Sequence, residues 1–387
     1  MSDEQNNVIE LKPSKRGKKR WLLFGAILLV VLALLVWFLL SKSTALDGVK
    51  RWFRYLGRDT EAFGSFTFES YGTTDYALCS DRLVVGTQSG LTVFSEGGTA
   101  LGRVQKSLSS PAVQAAKNTV LGYDIGGTLF SILDDNGAVV QQQTTAGSIF
   151  DADIAGSGTA AVLYSGTDCR AVLEVYQSSG DILYRVRSKS HFFNACAVNS
   201  GGTYAAVAAL GERDVTFDSS VRFYNTQREG IAAEISLGER TVYDMTFLDS
   251  DTLFVLCDDS AFYLSTDGML LAQYSFEGGT ICDFCADGSD FVVLTLDSYQ
   301  TDRRYRVVTL DRSGEELGSV NYETQPRNVS ACASYVAVLT AEDLKVYDRD
   351  LKFHHGTDNA EGYTHALVRS DGTALLIGSG VVQLYIP

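Results

Sequence analysis

A single pattern recurs along most of this chain. It opens with a run of small residues, turns at Asp, Ser or Gly, and continues into a very apolar run. A third run ends near Tyr or Phe, and a Gly turn leads to a more polar fourth run. Residues 149–188, IFDADIAGSGTAAVLYSGTDCRAVLEVYQSSGDILYRVRS, are the clearest copy, and 76–105, 113–143 and 242–276 follow the same plan. Starts fall near Tyr76, Pro111, Ile149, Phe192, Val242, Ile281, Val329 and Tyr363, at intervals of 35, 38, 43, 50, 39, 48 and 34 residues. Short Val, Leu, Tyr, Phe and Thr runs between Gly, Asp, Ser and Asn turns are strands, not helices. Four antiparallel strands recurring at this period predict the blades of a β-propeller. A blade buries both faces against its neighbours, which accounts for strands as apolar as AAVLY and FVVLTL.

The eighth copy stops at VVQLYIP, three strands in, while GSFTFES at 64–70 precedes the first copy. Pairing the two would close the ring and remove two open edges. The expectation is therefore an all-β, eight-bladed propeller of four-stranded antiparallel blades over residues 63–387. An error of one in the repeat count would give seven blades.

The N-terminal part has a different character. Trp21 to Leu40, WLLFGAILLVVLALLVWFLL, contains no charge. Twenty helical residues at ~1.5 Å each match a hydrocarbon core of ~30 Å. Aromatic residues at both ends, Trp21 and Trp37-Phe38, suit the interfaces. KPSKRGKKR abuts this run on its N-terminal side, so the positive-inside rule places residues 1–20 in the cytoplasm as a basic tail. The propeller would then lie outside the cytoplasmic membrane, behind a single uncleaved signal-anchor helix at 21–40. Ser43-Thr44-Ala45 offers a cleavage site, but the apolar run exceeds the usual signal-peptide core. In the juxtamembrane segment 41–62, Val49, Trp52, Phe53 and Leu56 share one helical face, and Lys50, Arg51 and Arg54 lie off it. That pattern fits a short amphipathic helix lying on the membrane or packed on the domain.

Charge follows the same division. Residues 1–40 hold six Lys/Arg and three Asp/Glu, residues 41–59 hold five and two, and residues 60–387 hold 21 and 42. A domain at −21 repels nucleic acid and favours solubility and cationic partners.

No HExxH, GxSxG or Walker run occurs. DDNG at 134–137 is not an EF-hand loop. His354 and His355 are adjacent and would point to opposite faces of a strand, so they would not share a metal. Cys282 and Cys285 have CxxC spacing but fall on a strand, where a redox pair wants a helix N-terminus. Cys79, Cys196, Cys285 and Cys332, with Thr246 and Ala366, read instead as one small-residue slot on the innermost strands. Two residues before that slot runs a polar column: Asp151, Asn194, Asp244, Asp283, Ser330 and Thr364. Near a channel mouth it would hold a cation or basic ligand, or bond to neighbouring backbone and fix the strand starts. No catalytic set can be assembled, and nothing calls for a metal or a cofactor.

The basic N-terminus, the apolar run at 21–40 and LxVYD-like strands such as LKVYDRD at 344–350 resemble an uncharacterised family of membrane-anchored propellers found mainly in Firmicutes. That resemblance covers the whole chain and implies no activity. A looser similarity, to quinoprotein-like and WD40-like propellers, lacks their tryptophans: Trp21, Trp37 and Trp52 all precede the repeats. The expected function is a non-enzymatic binding or scaffolding module for an envelope protein, peptide or glycan. The alternative is a hydrolase or lyase using channel-facing acids.

Overall fold

A computed structural model describes residues 27–31, 64–213, 216–288, 290–299 and 304–387. The chain divides into two units, Met1–Leu56 and Gly57–Pro387. In the first, residues 27–31 are helical. Among the described residues, no helix is long and apolar enough to cross a membrane. Most of 21–40, and all of the amphipathic segment at 46–56, lie outside the described residues.

The second unit is an eight-bladed propeller. Among the described residues, 32 strands form eight four-stranded antiparallel sheets, so the seven-blade alternative is excluded. The innermost strands, in order from blade 1 to blade 8, are Thr74–Cys79, Pro111–Ala116, Ile149–Ile154, Phe192–Val198, Val242–Phe247, Thr280–Cys285, Asn328–Cys332 and His365–Val368. All eight begin within two residues of the starts read from the repeats. Innermost strands of successive blades touch, as in the pairs beginning at Thr74 and Pro111 or at Phe192 and Val242, and so line a central passage.

Blade 8 takes its outermost strand from the N-terminal side of the repeats. Ser65–Thr67 pairs antiparallel with Val381–Tyr385, setting Ser65 against Gln383 and Thr67 against Val381. Phe66 then stacks on Phe94 of blade 1, with ring centroids 5.1 Å apart. The ring lies against Gly98, where an added Cβ would sit 2.3 Å from Phe66 Cγ. Glycine is needed there twice over, because its φ is +82°. Tyr76 against His365, and Ser370 donating to Asp81, complete the join between blades 8 and 1.

The core lies between blades. Ala206, Phe223, Leu253, Val255 and Phe262 pack at the boundary of blades 4 and 5, and Phe254, Tyr263, Val292, Leu294 and Val308 at that of blades 5 and 6. Second and third strands such as Ala160–Tyr164 and Ser260–Ser265 are apolar on both faces because each face meets a different blade. Truncating one such side chain to Ala costs about 2–5 kcal/mol.

Candidate functional site in the central passage

Each innermost strand pairs on one edge only. Its other edge presents backbone N–H groups that need acceptors. Among the described residues, a side chain of the preceding blade accepts such a donor in blades 2, 4, 7 and 8. Asp75 accepts from Val113 N at 2.8 Å, and Asp151 and Asp153 accept from Cys196 N and Val198 N, both at 2.8 Å. Asp283 accepts from Val329 N at 2.7 Å, and Cys285 Sγ from Ala331 N at 3.2 Å. Asn328 accepts from Ala366 N at 2.9 Å and Ser330 from Val368 N at 3.0 Å. Several aspartates also accept the N–H that follows them, as Asp75 does from Tyr76, Asp153 from Ile154 and Asp283 from Phe284. One carboxyl thus bridges two strands.

Only part of the sequence-derived column shares one register position. Asp151, Asp244 and Asp283 do: each follows a β-bulge, at Phe150, Tyr243 and Cys282 respectively. Asn194 occupies the bulge itself and donates to Val242 O at 2.7 Å. Ser330 lies two positions further along, level with Asp153. Thr364 precedes its strand and bonds to Ile377 O. The staples add Asp75, Asp153 and Asn328, which the repeat alignment missed. Asp75 and Asn328 each stand one residue before an assigned repeat start, so a shift of one residue would have found them. The proposed cysteine slot also spreads over several positions. Cys196 N and Ala366 N are stapled donors, Cys285 is itself an acceptor, and Cys79 and Cys332 end their strands opposite Arg82 and Tyr335.

Asp244 breaks the pattern. It accepts from its own Met245 N at 2.6 Å, and no donor from blade 6 reaches it among the described residues. Burial, then the charge of Asp151, pushes its pKa up to about 7. Burial pushes Asp153 up to about 8 against its bond from Val198 N, with Asp151 and Asp244 adding repulsion. Asp151 and Asp283 are raised as well, each chiefly by desolvation. Tyr123 donates to Asp151 at 3.3 Å. Asp151, Asp153 and Asp244 of blades 3 and 5 therefore form an arc whose members repel one another, and Asp153 and Asp244 titrate near neutrality.

Such an arc can hold a positive charge or exchange protons. Among the described residues no group of three His, Cys, Asp or Glu side chains is placed to hold a metal ion. Burial raises the Cys196, Cys282 and Cys285 thiols above their ordinary value, the reverse of what a reactive thiolate requires. A cleft of about 590 Å³ opens elsewhere, at the outer edge of blades 6 and 7, and none of the channel carboxylates lines it.

Comparison with known proteins identifies the family. The chain belongs to the family of unknown function DUF5711, whose profile matches residues 58–361. No curated protein matches it. Among solved structures it is similar to the C-terminal WD40 domain of Sif2, at 12% identity and a TM-score of 0.58, covering 83% of this chain and 97% of that one. It is also similar to BamB from Moraxella catarrhalis, at 13% identity and a TM-score of 0.51, covering 83% and 98%. Both likenesses are of fold.

Proposed function

We propose that this member of the DUF5711 family is a membrane-anchored binding or scaffolding module. It is held by the apolar segment 21–40, carries its propeller outside the cytoplasmic membrane, and grips an envelope protein or peptide through a cationic group at the acidic arc. One observation carries the reading: the fold does not need acids where it has them. Asn328 and Ser330 satisfy the blade 8 edge with neutral side chains, whereas Asp151 and Asp153 do the same work on blade 4 and bear the desolvation of a carboxyl. A destabilising charge kept where a neutral acceptor suffices favours function over architecture. The net −21 of residues 60–387 supports a cationic partner.

The test is capture in native membranes. Full-length protein is cross-linked, purified and analysed by mass spectrometry beside a form lacking residues 60–387. One recurrent envelope protein, present only with the propeller, is the expected result. No protein above the control would sink the reading.

The second reading is a hydrolase or lyase. Carboxyls near 7 and 8 are poised for proton transfer at neutral pH, which favours it. Against it, the Cys196, Cys282 and Cys285 thiols of the described residues are held above their ordinary value, the reverse of an activated nucleophile.

A further inference from the structure

The outer edge of the ring carries a second feature. Between blades 6 and 7 lies a cleft of about 590 Å³, within the volume range of ligand-binding sites. One wall is the end of the outermost strand Glu316–Tyr322, with Glu323 and Thr324 following it. The other is the turn from Thr340 to Asp343, with Lys345, Tyr347 and Phe353 of blade 7. Buried Tyr322 and Tyr347 line it, their hydroxyls bonded to each other at 2.7 Å. Phe353 is 62% exposed, a large apolar group at the rim with water on most of its surface.

The cleft already shows how it treats a positive charge. Lys345 Nζ lies 2.7 Å from Asp343 and 5.4 Å from the centre of the Tyr322 ring, pairing a carboxylate with an aromatic face. The Asp343 bond raises the Lys345 pKa, so the ammonium stays charged. Two further carboxylates line the same cleft. Glu323 and Glu342 are exposed and form no ion pair among the described residues. The lining thus carries three acids against one base, beside Phe353, whose ring meets Tyr347 edge to face at 6.0 Å.

We propose that this cleft is a docking site for a basic segment of a protein partner. A Lys or Arg side chain would lay its aliphatic stem on Phe353 and its charge between Glu323 and Glu342, repeating beside Lys345 the arrangement that Lys345 makes with Asp343 and Tyr322. The end of Glu316–Tyr322 is an outer edge strand, so an extended segment can run along it while its side chain enters the cleft. This site is separate from the channel arc and does not depend on the function proposed for it.

The probe is a fluorescent tetra-lysine amide, read by anisotropy against full-length protein in detergent, with a tetra-glutamate amide beside it. Binding of the lysine probe should weaken at least ~5-fold in the Glu323→Gln/Glu342→Gln variant and ~3-fold in Phe353→Ala, since exposed cation–π and ion-pair contacts are each worth ~0.5–1 kcal/mol. Glu229→Gln/Glu239→Gln, which removes two exposed acids from blade 4, should change it less than ~2-fold, as general screening predicts. Thermal unfolding of each variant checks that the fold is intact. Equal losses in the two glutamate double variants would reduce the effect to overall charge and overturn the proposal, as would an unchanged Kd in the cleft variants. In the Asp151→Asn/Asp244→Asn background, which removes the channel acids, Glu323→Gln/Glu342→Gln should still weaken the probe at least ~5-fold, and that separates the cleft from the arc.

Discussion

The boundary between blades 3 and 4 and the boundary between blades 7 and 8 are built alike and charged differently. In the first, Asp151 and Asp153 accept from Cys196 N and Val198 N. In the second, Asn328 and Ser330 accept from Ala366 N and Val368 N over nearly the same distances. Both pairs are spaced i, i+2, and both satisfy donors spaced i, i+2. Blade 6 uses the same spacing with Asp283 and Cys285. Topology sets the direction of these bonds wherever they form. The choice of acid, amide, hydroxyl or thiol is left free, and only the acids bring a desolvation cost and mutual repulsion. What varies between equivalent boundaries is therefore where function is to be sought.

The comparison can be broken most severely by removing the acceptors. Asp151→Ala/Asp153→Ala and Asn328→Ala/Ser330→Ala each leave two edge N–H groups without partners, and each should cost about 2 kcal/mol in urea unfolding. A large loss at one boundary and none at the other would deny that the bonds are equivalent.

The next largest effect is in pH. Asp153 and Asp244 have folded-state values of about 8 and about 7, above the ordinary 3.8. A raised carboxyl favours the folded state fully below its unfolded pKa, and that contribution is lost as pH rises through the folded value. Unfolding free energy should thus fall between pH 5 and pH 8.5, and Asp153→Asn/Asp244→Asn should flatten the slope. Stability that rises over this interval would contradict the assignment.

Asn328→Asp sharpens the comparison by charging the neutral boundary. Asn328 lies 3.4 Å from Asp283, so a second carboxyl there should cost on the order of 1 kcal/mol at pH 8 and little at pH 5. The smallest effect should come from moving the neutral pair into blade 3. Asp151→Asn/Asp153→Ser keeps both bonds, and at pH 8 its stability should match wild type within ~0.5 kcal/mol or exceed it.

Much of the architecture was legible in the residues because a propeller writes itself as a period. Turns such as STDG and DRSG and apolar runs such as FVVLTL recur with each blade, and the incomplete eighth copy pointed to GSFTFES as its missing strand. The site was legible only in outline. Asp151, Asp244 and Asp283 could be aligned by eye, but bulges at Phe150, Asn194, Tyr243 and Cys282 shift the register by one residue and leave no mark in composition. Hence Asn194 was misaligned with the acids, while Asp75 and Asn328 went unseen. The raised pKa of Asp153 comes from burial and from two acids remote in sequence, which no local pattern reports. The cleft at Phe353 joins loops of two blades and has no sequence signature.

The central claim is that the acidic arc serves binding and not folding. Its most direct test is partner capture by full-length Asp151→Asn/Asp153→Ser/Asp244→Asn, cross-linked in native membranes beside wild type, with thermal unfolding measured on the same preparations. The account predicts an unfolding temperature at or above wild type at pH 8 and loss of the captured envelope protein. Undiminished capture by a folded variant would contradict it.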